Sequence, residues 1–235
     1  MANQKQMTIV EHLEELRGRL IKCLVALAIT TALAFACTSQ IMRVLIAPAG
    51  IELVFLRPTE MFVTYFRVAL LAGVVLAMPV IVYQAVRFTL PGLRNRERAY
   101  LRVVVPGATF SFILGVAFAY YVMLPLALRY LLAFGGDLAA ARWAISEYAA
   151  FVTRLLFWSG VVFQIPMLLF FLARLQIVTP QFLSENRKFA VLVVAVVAAV
   201  ITPTPDPFNM VVVMFPLLLM YETGVLLAKL ACRLA

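Results

Sequence analysis

The feature that most constrains this chain is a series of long stretches with no charged side chain. Such runs cover residues 23–42 (20 residues), 68–86 (19 residues), 103–128 (26 residues), 155–173 (19 residues) and 189–201 (13 residues). A last run at 208–228 is interrupted only by Glu222. A helix that crosses a hydrocarbon core needs about 20 mainly apolar residues. The chain is 65% hydrophobic and 13% charged, whereas an ordinary soluble domain carries about 25% charged residues. A water-soluble fold of 235 residues cannot cover that much apolar surface, and intrinsic disorder requires low hydrophobicity. The runs therefore predict an all-α integral membrane protein, a single polytopic domain over 1–235 with six transmembrane helices. The expected spans are 23–42, 68–86, 103–128, 151–173, 189–201 and 208–228. The fifth run reaches only about 20 Å as a helix, against a hydrocarbon core of about 30 Å. The fifth and sixth helices are thus expected to be short and to thin the bilayer locally. Pro203, Pro205 and Pro207 between them forbid one continuous helix and make a tight helical hairpin.

Basic residues in short loops orient membrane proteins. Fourteen Lys and Arg fall on the side that holds both termini, and six on the other. Both termini are therefore expected in the cytoplasm, which suits an even number of spans. Ala34-Phe35-Ala36 resembles a cleavage site. Glu11, Glu14 and Glu15 before it do not suit a basic signal n-region, so the first run is expected to be a retained span. Pro79, Pro106, Pro125, Pro166 and Pro216 lie within the runs. They predict fixed kinks and a bundle with a concave face in the membrane.

Several chemistries lack their residues. Three widely spaced cysteines, Cys23, Cys37 and Cys232, make neither a disulfide framework nor a zinc pattern. With the single histidine His12, a metal site is not expected. There is no G-x-x-x-x-G-K-[ST] and no H-E-x-x-H. No cofactor and no enzymatic activity are expected. The excess of nine positive charges reads as membrane topology rather than nucleic-acid binding.

Polar residues are scarce enough to weigh singly. Thr8-x-x-Glu11 is a capping box, and Ile9, Leu13, Leu16 and Leu20 form one apolar stripe at helical spacing. An amphipathic helix is expected along the cytoplasmic interface, feeding the first span. Within it Glu15 pairs with Arg19, and Glu14 with Arg17, or else Glu14 or Glu15 offers a carboxylate to a cationic ligand. Glu97 stands among Arg94, Arg96 and Arg98, past the turn signal Pro91-Gly92. Gln164 lies midway along the fourth run; an amide there is either glue between helices or a functional group. Asp206 suits the N-terminus of the sixth helix. Glu222 sits near the cytoplasmic end of that helix.

Four segments in order carry a resemblance. They are His12-Leu13-Glu14-Glu15-Leu16-Arg17-Gly18-Arg19-Leu20; Phe88-Thr89-Leu90-Pro91-Gly92-Leu93-Arg94-Asn95-Arg96-Glu97-Arg98; Phe163-Gln164-Ile165-Pro166; and Thr202-Pro203-Thr204-Pro205-Asp206 with Tyr221-Glu222 beyond. Together they resemble TatC, the core subunit family of the twin-arginine protein translocase, over residues 9–230. The resemblance implies binding of the twin-arginine signal peptide of folded cargo proteins at the cytoplasmic face. It also implies assembly with TatA- and TatB-type single-span subunits, a homo-oligomer within the complex, and export driven by the proton gradient across a bacterial-type inner membrane. It places the signal-binding acids on Glu15 and Glu97, with Arg17, Phe88 and Pro91 beside them. Pro48 matches the first external loop. Gln164 falls where many relatives carry Glu; an amide does not titrate, so a hydrogen-bonding role with a partner helix is expected there. The rival readings are a small-solute secondary transporter, which predicts an inverted repeat and midplane polar groups, and a membrane scaffold, for which the cytoplasmic acids are dispensable.

Overall fold

The computed structural model describes residues 9–89, 98–133, 142–174, 176–201 and 207–233. Helix α1 (Ile9–Ala36) is followed by α2 (Thr38–Ile46) and a 3-10 turn at Ala47–Ala49. Strand β1 (Leu53–Val54) precedes α3 (Glu60–Thr89). Helix α4 (Arg98–Phe118) passes through a π-turn at Ala119–Met123 into α5 (Leu124–Ala133). Strand β2 (Trp143–Ala144) leads to α6 (Ile145–Val162), then α7 (Ile165–Arg174), α8 (Pro180–Glu185), α9 (Arg187–Ile201) and α10 (Pro207–Arg233). The two strands pair in parallel, Leu53 with Trp143 and Val54 with Ala144.

Among the described residues, five helical stretches are long and apolar enough to cross a membrane: Val10–Ala36, Glu60–Phe88, Val104–Ala133, Ile145–Arg174 and Met210–Cys232. Helix α9, at 15 residues, reaches about 22 Å and is the short fifth element that the sequence implied. The sixth is not short. Helix α10 runs 27 residues, because it continues past Glu222 and Lys229 to Arg233 instead of ending with the apolar run. The first span is displaced from 23–42. Helix α1 stops at Ala36, where Cys37 leaves helical geometry (φ −104°, ψ 8°). The Ala34 carbonyl there accepts from the Cys37 N–H and from the Thr38 hydroxyl. The expected surface helix at the N-terminus is instead continuous with the first span. Leu13, Leu16 and Leu20 lie exposed along the same rod. The start of the capping box, Thr8, lies outside the described residues.

The prolines act in two ways. Pro79, Pro106 and Pro216 sit inside helices that continue through them. Pro166 follows a break at Phe163 and Gln164, and Pro125 follows the π-turn, a widening that commonly accommodates an interrupted hydrogen-bond ladder. At the break, the Ser111 hydroxyl on α4 donates to the Phe163 carbonyl.

Close packing depends on small residues, as it does where lipid supplies no hydrophobic drive for helix association. Helix α1 packs chiefly on α3. There Thr30 donates to the Gly73 carbonyl at 2.8 Å. A Cβ on Gly73 would lie 2.8 Å from the Thr31 Cα. Helices α4 and α6 approach in the same way. A Cβ on Gly115 would lie 2.7 Å from the Ser159 carbonyl oxygen, and one on Gly160 would lie 2.7 Å from the Phe112 ring. Gly73→Ala forces backbone against backbone and is expected to destabilise the protein by about 1–3 kcal/mol, read as a lowered thermal midpoint in detergent. Ala72→Gly, one position away, serves as the comparison and should fall by no more than about 1 kcal/mol.

Candidate functional site

Polar side chains collect where the first 15 residues of α1 meet the last turn of α3. His12 stacks on Phe88 with ring centroids 4.5 Å apart and planes 17° from parallel. Two turns further along α1, Arg19 reaches Gln84 at 3.4 Å. Glu15 lies between these two contacts. The α-helical repeat places Arg19 one turn after Glu15, and its Nε donates to Glu15 Oε1 at 3.0 Å. A second nitrogen of the same guanidinium meets the same oxygen. Glu15 Oε2 is buried and has no hydrogen-bond partner among the described residues. Among the described residues the carboxylate is therefore half engaged: one oxygen carries a resident arginine, and the other is buried without a partner. Glu14 and Arg17 are exposed on the same helix. Arg87 donates to the Tyr83 hydroxyl at 2.9 Å and lies over its ring, so it turns along α3 rather than toward Glu15.

The remaining residues singled out from the sequence are not gathered at this point. Glu97, Pro91 and Asp206 lie outside the described residues. Pro48 sits half-buried in the 3-10 turn, beyond the opposite end of α1. Glu222 on α10 pairs with Arg187 at the start of α9, at 2.9 Å. Both side chains are about half exposed there, so this pair contributes at most about 1 kcal/mol. The Gln164 amide nitrogen donates to the Ala108 carbonyl on α4 at 2.8 Å. With the Ser111 bond to Phe163, it ties α4 to the α6–α7 break by two hydrogen bonds running in opposite directions.

Glu60 escaped the sequence reading. One oxygen of its carboxylate accepts from the N–H groups of Leu56 at 2.7 Å and Arg57 at 3.2 Å, in the loop that leads into α3. Its other oxygen accepts from the Ser146 N–H at 3.0 Å and from the Ser146 hydroxyl. It joins the loop before α3 to the N-terminus of α6, where a first-turn N–H group without a helical partner favours an anion. The available signal was an acid in the first turn of the helix, after Arg57-Pro58-Thr59. It was masked because the charge-free run begins only at Val68.

A nearly all-helical chain with five membrane-length apolar helices, and with polar groups concentrated at helix ends and helix breaks, is a multi-pass membrane protein. The family model for the Sec-independent protein translocase protein TatC matches residues 11–216. A Sec-independent protein translocase protein TatC of Carboxydothermus hydrogenoformans is 36% identical over 96% of this chain and 94% of its own length. One of Aquifex aeolicus is 36% identical over 97% of both. A chloroplastic TATC of Arabidopsis thaliana is 34% identical over 99% of this chain and 69% of its own. A crystal structure of the twin-arginine translocase receptor TatC superposes with a TM-score of 0.85 at 36% identity, covering 95% of this chain and all of the other. The chain belongs to the TatC family, and so is a protein-transport component of the twin-arginine translocase.

Two substitutions probe the polar groups. Glu60→Gln places an amide donor against backbone donors and is expected to lower stability by about 1–3 kcal/mol, with Ser146→Ala lowering it less; thermal unfolding in detergent measures both. Gln164→Leu removes one interhelical bond and should reduce stability by about 0.6–1.7 kcal/mol. Export of a reporter across inverted vesicles should persist in this variant, as a packing role requires.

Proposed function

We propose that this chain is the signal-peptide receptor of a twin-arginine translocase. In this reading six spans, α9 supplying the short fifth, place both termini in the cytoplasm of a bacterial-type inner membrane. The chain binds the twin-arginine signal peptide of folded cargo at the cytoplasmic face. It organises TatA- and TatB-type single-span subunits, and further copies of itself, for export driven by the proton gradient. The solved relative is described as a twin-arginine translocase receptor.

The observation that supports the reading most directly is Glu15. An arginine already docks on one of its oxygens, and the second oxygen is buried without a partner among the described residues. A buried carboxylate oxygen left without a donor is costly, and an incoming guanidinium relieves that cost. Arginine presents several donors in a rigid plane, whereas lysine offers a point charge on a flexible stem. A second acid from the neighbouring loop, Glu97, would take the second arginine of the pair. Phe88, stacked on His12, would offer an aromatic face to the peptide, and we assign Arg17 and Pro91 to the same site on the family resemblance.

A charged hydrogen bond is worth about 1.5–3 kcal/mol. Glu15→Gln should therefore weaken binding of a twin-arginine peptide to the detergent-solubilised protein by at least about tenfold. Glu15→Gln with Glu97→Gln should abolish photocrosslinking to it. A twin-lysine peptide should bind the wild type no better than the double variant binds the arginine peptide. Undiminished crosslinking in a folded double variant sinks the proposal.

A further inference from the structure

Away from the Glu15 region, a groove of about 350 Å³ opens between α3 and α6. Its rim carries two arginines, Arg67 from α3 and Arg154 from α6. Below them it is walled by Leu70 and Val74 on one side and by Phe157 and Trp158 on the other. We propose that this groove binds one anionic phospholipid, its phosphate between the two guanidiniums and an acyl chain along the apolar wall.

Depth is the first support. Arg67 immediately precedes the charge-free run 68–86, and Arg154 immediately precedes the run 155–173. Each run has 19 residues, about 28 Å of helix, which matches the hydrocarbon thickness of about 30 Å. Glu60 bonds Ser146, and Arg67 donates to the Ser146 carbonyl at 3.2 Å. These contacts hold the N-terminal ends of α3 and α6 at one level. Both guanidiniums therefore stand at the edge of the hydrocarbon, on the same membrane face, where lipid phosphates lie. Leu70 and Val74 follow Arg67 by one and two helical turns, and Phe157 and Trp158 follow Arg154 by one. The groove thus runs from charge into hydrocarbon in the direction a lipid does.

Charge is the second support. Among the described residues Arg154 makes no hydrogen bond or ion pair, and Arg67 makes only its bond to the Ser146 carbonyl. A guanidinium has five N–H donors, so most are unoccupied at a depth where water is scarce. The acids near the rim do not neutralise them. Both oxygens of Glu60 are taken by Leu56, Arg57 and Ser146, and Glu147, two turns before Arg154, is exposed and forms no ion pair with it. Paired guanidiniums are well matched to phosphate oxygens. A groove of this volume admits a chain, whereas a helix with its side chains is about 10 Å across. Which leaflet the lipid occupies follows from the orientation proposed above; the binding itself does not depend on it.

The chain has two tryptophans, Trp143 and Trp158, so Trp143→Phe leaves Trp158 as a reporter inside the groove. The protein is placed in phosphatidylcholine bilayers with graded amounts of acyl-brominated phosphatidylglycerol or acyl-brominated phosphatidylcholine, and quenching is measured. A basic residue at an anionic lipid surface favours binding by about 1 kcal/mol, roughly fivefold. With two arginines, half-quenching should therefore need roughly 25-fold less of the brominated phosphatidylglycerol than of the choline lipid. Arg154→Gln should shrink this preference by about fivefold, and Arg67→Gln with Arg154→Gln should erase it, while Arg43→Gln on the exposed side of α2 should leave it intact. Circular dichroism and thermal midpoints establish that the variants are folded. Excess inorganic phosphate should not relieve the quenching. Equal quenching by both lipids before any arginine is changed, or a preference surviving the double substitution, overturns the proposal. Relief by inorganic phosphate overturns it in favour of a soluble anion. Absence of a lipid preference, combined with arginine-dependent crosslinking of an acidic single-span helix at Trp158, overturns it in favour of a protein partner.

Discussion

A backbone carbonyl that loses its helical partner inside a bilayer has no water to turn to. Many of the polar side chains in this chain answer to that constraint. The Phe163 carbonyl, at the break before Pro166, is met by Ser111. The end of α2 leaves carbonyls at Val44 and Leu45, and each accepts from a tyrosine, Tyr120 and Tyr148, at 2.7 Å. Tyr221 closes the Leu183 carbonyl of α8 at 2.8 Å. Arg174 reaches the Ala231 carbonyl near the end of α10 at 3.2 Å. At these interruptions a hydroxyl or guanidinium from another element meets the freed carbonyl, so breaks and tertiary contacts go together.

This explains what could and could not be read from the residues. Hydrocarbon thickness selects for long apolar segments, and the charge-free runs fall within α3, α4 with α5, α6 with α7, α9 and α10. Helix ends depend on particular donors. The stop at Ala36 rests on the Thr38 hydroxyl turning back to Ala34, and no hydropathy pattern records that. The length of α10 was underestimated because a charge near a membrane surface ends an apolar run without ending a helix.

The candidate site was legible to a different degree. The spacing of Glu15 and Arg19 announced their pairing, and the structure has it. Spacing could not reveal that one oxygen of Glu15 is buried and left over, since that depends on α3 covering α1 with Gln84 and Phe88 from 65 or more residues away. Gln164 was legible as a rare amide midway along its apolar run, and its side chain bonds the Ala108 carbonyl of the neighbouring helix α4. Glu60 was hidden because its partners, Ser146 and its own preceding loop, are brought together only by the parallel approach of α3 and α6.

Helix α1 has a mechanical character that follows from its being one piece. Its apolar window is 11% buried within the chain, against 28–39% for the other four. It comes close against α3 where Thr30 and Thr31 meet Gly73. Glu15 lies 15 residues from Thr30, about 22 Å along the rod. The helix is thus held to α3 at two well-separated levels, by the His12 and Arg19 contacts on either side of Glu15 and by the two threonines at Gly73.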